Sequence, residues 1–173
     1  MKQIILAGVD DISKYRETIY RTAEKTKREL SNTLVDRDGI TALEIIKFDK
    51  VGCDPLDPER ELNFIEQVNQ TFTYLASLKA AEYLFSSEAD ITSLRLNLGT
   101  QKGSDIESLD GLYAAEVFAA THPGSNNKLA KDITKVKKSK ALYKYVFFSC
   151  PDIPEGPYNY REEEEVIIWS LRR

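Results

Sequence analysis

Histidine occurs once in the 173-residue chain, at His122, and cysteine twice, at Cys53 and Cys150. None of the three stands at metal-ligand spacing from another, so a Cys/His zinc site and repeated histidine chemistry are both excluded. In a reducing compartment both cysteines are expected as free thiols. Positive charge is short as well: 24 lysines and arginines face 28 acidic residues, a net charge of −4 that gives no global attraction for nucleic acid and leaves only local basic patches. Long apolar runs are missing. No stretch approaches the length that spans a bilayer, and the opening MKQIILAGVDD carries one lysine and too brief an apolar run for a secretory signal. A soluble, cytoplasmic protein without membrane contact is expected, and 42% hydrophobic residues suit one globular domain with a helical arm attached. Repeats and low-complexity tracts are absent.

What is present is a run of well-marked elements. Ile12, Tyr15, Ile19, Ala23 and Leu30 recur at helical spacing between Asp11 and Leu34, and DRDG (36–39) ends that helix. ITALEIIKF (40–48) fits a strand or a brief helix. GCDPLDPER (52–60) reads as a linker, with Asp57 as N-cap and Pro58 as first residue of a core helix that carries Leu62, Ile65, Val68, Phe72, Leu75 and Leu78 through to Phe85. Period two then takes over. ITSLRLNLG (91–99), Ser104–Ser108 and Leu112–Ala120 form three strands of a meander, with GTQKGS (99–104) as a hairpin turn rather than a phosphate loop. HPGSNN (122–127) leads into a basic helix with Leu129, Ile133 and Val136 on one face. ALYKYVFFSCP (141–151) is dense enough in aromatic and β-branched residues for a central strand. After a polar turn region holding three of the six prolines, VIIWSL (166–171) gives a last strand or short helix, and the EEEE run (162–165) with Asp152 and Glu155 reads as a solvated acidic surface.

The third strand of the meander is apolar on both faces, yet carries Glu116 in its middle. A carboxylate near a core needs a strong partner, a metal or access to water. A tight turn sets Asp105 of the preceding strand beside it, and two unscreened carboxylates repel. Magnesium or manganese resolves that repulsion, since oxygen ligands suit a hard cation and no soft ligand is near. An ion held by Asp105 and Glu116 would serve phosphodiester hydrolysis. Exposure near the turn, or pairing with Arg95 or a lysine, is the structural alternative. Lys128, Lys131 and Lys135 on the basic helix are candidate phosphate contacts, or simply a solvated face. His122, beside a proline and a glycine, caps or lines a loop.

The order of helix, three-stranded meander, helix and strand, with Asp105 and Glu116 on adjacent strands, resembles the core of the PD-(D/E)XK nuclease superfamily over Pro58 to Cys150. The resemblance implies a restriction endonuclease-like α/β domain. In that pattern Asp105 matches the aspartate of the second strand, Glu116 the acidic position of the triplet on the third, and Val117 its spacer. Phe118 stands where the triplet lysine belongs, and phenylalanine can neither orient water nor offset transition-state charge. Either a lysine from elsewhere replaces it, Lys128 or Lys131 from the next helix or less directly Lys102, or the site works through metal-bound water alone, or the domain no longer cuts. An accessory helix glutamate maps onto Glu66 or Glu61.

The expected architecture is a helical extension over residues 1–50 and a nuclease-like α/β domain over 51–173, with a mixed four- or five-stranded sheet flanked by helices. The expected activity is Mg2+-dependent (or Mn2+-dependent) endonucleolytic hydrolysis of DNA, with Asp105, Glu116, Glu66 and a lysine as catalytic residues. The resemblance also implies a homodimer. The rival expectation, for which Phe118 speaks, is a catalytically inactive nuclease-fold module that binds DNA or a protein partner. A small structural or regulatory protein with no nucleic acid partner is a third, consistent with the net negative charge.

Overall fold

The computed structural model describes residues 2–99, 102–161 and 163–172, the side chain of Lys2 excepted. The chain divides into two compact units, residues 1–12 with 76–173, and residues 13–75.

In the first unit, alternating leucines make the sheet. β4 (Leu94–Leu98) buries Leu94, Leu96 and Leu98, and its antiparallel neighbour β1 (Lys2–Leu6) pairs with it from Lys2 opposite Leu98 to Leu6 opposite Leu94. β4 continues through β5 (Ile106–Ser108) to β6 (Tyr113–Ala119) as an antiparallel meander. The turn between β4 and β5 is bracketed by Gly99 and Gly103, both at positive φ, which glycine alone adopts without strain. Residues 100–101 of the expected GTQKGS turn lie outside the described residues. The next strand, β7 (Tyr143–Ser149), runs parallel to β6, so the chain must cross over, and it does so through the helix α4 (Lys128–Lys137). β9 (Ile167–Ser170) extends the sheet parallel to β7, and the two-residue β8 (Gly156–Pro157) closes that edge. The full order is β1-β4-β5-β6-β7-β9-β8.

Both faces of β6 and β7 are buried, as their double-sided apolar pattern requires. On one face Leu129, Ile133 and Val136 of α4 meet Ala114, Phe118, Val146, Phe148 and Ile168, with the rings of Phe118 and Phe148 stacked at 5.7 Å. Each such side chain contributes about 1.5–3 kcal/mol through burial. On the other face Tyr145 stacks on Phe147, and Tyr83 packs edge-on against Phe147 and tilted against Trp169. Tyr83 belongs to α3 (Phe64–Ser87), whose residues from Ala76 onward lie in this unit.

The second unit contains most of α1 (Val9–Leu34), α2 (Gly39–Phe48), the hairpin β2 (Gly52–Asp54) with β3 (Asp57–Leu62), and the first half of α3. ITALEIIKF is helical because Asp38 caps it, its carboxylate accepting from the N–H groups of Ile40 and Thr41. Gln67 Oε1 accepts from Thr26 Oγ1 at 2.9 Å and from Cys53 N–H at 2.8 Å, which satisfies a buried amide. Gly52 leaves room for it: a Cβ there would lie 2.6 Å from that oxygen.

The general α/β class holds, while several expected details do not. The mixed sheet has seven strands rather than four or five. The helix expected from Pro58 begins at Phe64, because Asp57–Leu62 is spent pairing with Gly52–Asp54, and Asn63 rather than Asp57 caps it. The turn of that hairpin is set by Asp54, whose Oδ1 accepts from Leu56 N–H while Oδ2 pairs with Arg60 at 3.2 Å. Residues 1–50 are not wholly helical, since Lys2–Leu6 is a sheet strand. VIIWSL resolves as a strand. Among the described residues no helix is long and apolar enough to cross a membrane, and both cysteines are buried free thiols.

Candidate active site

Continuing the β5–β6 register by one residue beyond Ile106 and Ala115 sets Asp105 across from Glu116. Asp105 precedes the first paired residue of β5, so its side chain is free to complete the ladder: Oδ2 accepts from Val117 N–H at 2.8 Å. That bond fixes the carboxylate. Its other oxygen, Oδ1, lies 3.5 Å from Lys135 Nζ. Glu116 is 0% exposed, and its Oε2 accepts from the same ammonium at 2.5 Å. One lysine amine from the last turn of α4 thus touches both carboxylates.

The second oxygen of Glu116, Oε1, is buried without a hydrogen-bond partner. An orphaned buried carboxylate oxygen is costly, so burial, aided by the Asp105 charge and opposed by Lys135, pushes the Glu116 carboxyl up to about 8. Burial tends to lower the Lys135 ammonium, but its hydrogen bond to Glu116 and the Asp105 and Glu116 charges outweigh it and hold the group above its ordinary value. The Lys135 side chain is about half exposed.

A second pair lies one turn earlier on the same helix face. Lys128 Nζ donates to Asp132 Oδ1 at 2.5 Å, and its ammonium stands 5.8 Å over the Phe118 ring. Asp132 is buried, its Oδ2 has no partner, and burial raises its carboxyl despite the Lys128 hydrogen bond. The position had a signal in the sequence: Asp132 is three residues from Leu129 and four from Val136, and so falls on the apolar face of α4.

The structure sorts the remaining candidates. Phe118 is core, so a lysine there would have had to enter the layer beneath α4. Lys131 is exposed and contacts neither carboxylate. Lys102 is exposed on the hairpin turn. Glu66 lies in the other unit, where it forms a reciprocal cap with Asn63: Glu66 N–H donates to Asn63 Oδ1 at 2.8 Å, and Asn63 N–H to Glu66 Oε2 at 3.4 Å. Glu61 is exposed on β3 and pairs with Lys50. The structural alternative for Asp105 and Glu116, pairing with a lysine, is what Lys135 provides, while Arg95 pairs instead with Glu107 at 3.7 Å, which also accepts from Ser104 N–H. His122 Nδ1 accepts from Gly124 N–H within its own loop. The acidic run is partly engaged, with Glu163 and Glu165 both on Lys137 at 2.9 and 3.6 Å.

Among the described residues no group of three or more His, Cys, Asp or Glu side chains is arranged to hold a metal ion. The Asp105–Glu116 pair provides two carboxylates, one of them with an uncommitted buried oxygen. That donor set suits magnesium, which keeps several waters and takes one or two protein carboxylates, better than calcium. The chain matches no family model, no curated protein and no solved structure.

Proposed function

We propose that the protein is a metal-dependent endonuclease of the PD-(D/E)XK type, hydrolysing DNA phosphodiester bonds at Asp105, Glu116 and Lys135. The observation that carries this reading is the single lysine amine reaching both carboxylates, because it supplies from α4 the cation that Phe118 removes from the triplet. The order α3, β4-β5-β6 meander, α4 and parallel β7 supports it.

A divalent ion on the two carboxylates would supply Lewis-acid polarisation of the phosphate and favour attack by water. Asp105 is held ready for it by the Val117 N–H, and Glu116 by the packed strand around it. Lys135, displaced from the carboxylates as the ion takes its place, would meet the substrate phosphate and offset the charge that builds on the phosphoryl oxygens. Lys128 and Lys131 lie along the same helix as further contacts for the nucleic-acid backbone, Lys128 already oriented by Asp132. Dimerisation, as in restriction-type enzymes, belongs to the same reading and is checked by sedimentation.

The test is relaxation of supercoiled plasmid with Mg2+ or Mn2+. Cleavage by the wild type, lost in Glu116→Gln and Lys135→Met, supports the reading. A second reading, an inactive module that binds DNA or a protein, is favoured by one feature: Lys135 already pairs with both carboxylates, and among the described residues no third acid completes a metal-holding group. Plasmid binding without any cleavage would decide for it.

A further inference from the structure

We propose that the seat between Asp105 and Glu116 is a cation-exchange position, held at rest by the Lys135 ammonium and taken by a hard divalent ion that drives this ammonium out to solvent. This deepens the nuclease reading, on which it rests, by making Lys135 the residue that sets metal affinity.

The two carboxylates are fixed and the lysine is not. Asp105 is tied to the Val117 backbone, and Glu116 is enclosed in the middle of β6. Lys135 reaches the pair on a flexible four-carbon stem, from the last turn of a helix, with its side chain 49% exposed. It has somewhere to go. The ammonium also leaves the seat incompletely satisfied: it contacts Asp105 only at 3.5 Å, and Glu116 Oε1 is buried with no partner at all. A doubly charged ion with its own waters can answer both deficits, through a closer second carboxylate and a water donated to the orphaned oxygen. Lys128 differs in kind. Its hydrogen bond goes to one buried aspartate on its own helix, at 2.5 Å, with the Phe118 ring beneath.

The exchange can be followed without nucleic acid. In the full chain, the side-chain ammonium signals of lysine are monitored by 15N NMR during titration with MgCl2. The Lys135 signal should lose its protection and move to the free-lysine position as Mg2+ binds, while Lys128 stays unchanged. A Lys135 signal unmoved at saturating Mg2+, or the absence of any Mg2+ effect, overturns the exchange. A second measurement is calorimetric titration with Mn2+ at pH 8, at which Lys135→Met should bind about tenfold more tightly than wild type. Equal or weaker binding counts against the proposal. The plasmid assay keeps the two ideas apart: exchange without cleavage leaves a cation-binding protein that does not cut, and cleavage without exchange leaves a nuclease whose Lys135 never competed.

Discussion

Lys135 Nζ meets Glu116 Oε2 at 2.5 Å across the interface between α4 and β6, and this contact joins the α-helix of the β6–β7 crossover to the most deeply buried carboxylate described. Its consequences are measurable in stability before any activity is assayed.

The first concerns pH. Glu116 has an ordinary value near 4.5 and a folded value of about 8, so the native state holds its proton more tightly than the unfolded chain does. Its contribution to stability is therefore complete below pH 4.5 and is lost as pH rises through 8. Urea unfolding across that window should show a downward slope that flattens in Glu116→Gln. An unchanged slope in the variant would contradict the assignment.

Removing the lysine should cost less than breaking a fully enclosed ion pair. Lys135 is half solvated, and Glu116, its carboxyl pushed up to about 8, already holds its proton in most molecules at pH 7, so Lys135→Met should destabilise by about 1–2 kcal/mol there. Chemical denaturation measures it. A loss well above that range would mean that Glu116 remains charged and trapped.

Restoring the triplet lysine should fail. Phe118 is packed with Leu129, Ile133 and Phe148, so Phe118→Lys loses that packing and buries an ammonium, at about 3–5 kcal/mol. Cleavage should not rise. Higher activity in a folded Phe118→Lys would show that Lys135 is not the working replacement.

The acid on α3 has a separate test. Asn63→Ala removes the cap of that helix and should cost about 1 kcal/mol. Glu66→Gln keeps an acceptor for Asn63 N–H and should leave thermal stability close to wild type. Loss of plasmid cleavage in a stable Glu66→Gln would assign it an accessory role in the chemistry.

Legibility in the sequence followed how local each cause was. The leucine alternation of β4 and the apolar stripe of α4 are short-range patterns, and both were readable. The pairing of Asp105 with Glu116 followed from turn arithmetic over a dozen residues. β1 was not readable, because KQIIL is five residues with no alternation and is a strand only through its pairing with β4. DPEREL has little strand propensity, and its Asp57-Pro58 step imitates a helix start; pairing with Gly52–Asp54 overrides both. That Lys135, rather than Lys128 or Lys131, is the lysine touching both carboxylates was hidden for a similar reason. Helical periodicity gives the face on which a lysine sits, but how far its ammonium reaches depends on the tilt of α4 over β6, which only the packing sets. Asp132 was passed over because the lysines around it drew the face as basic, although its spacing from Leu129 and Val136 placed it inward.

The most direct test of the central claim is anomalous diffraction from crystals soaked in MnCl2. A single peak about 2.1 Å from oxygens of both Asp105 and Glu116, with Lys135 turned away, is the predicted result. No peak at that position at saturating Mn2+, with Lys135 still between the two carboxylates, would contradict it.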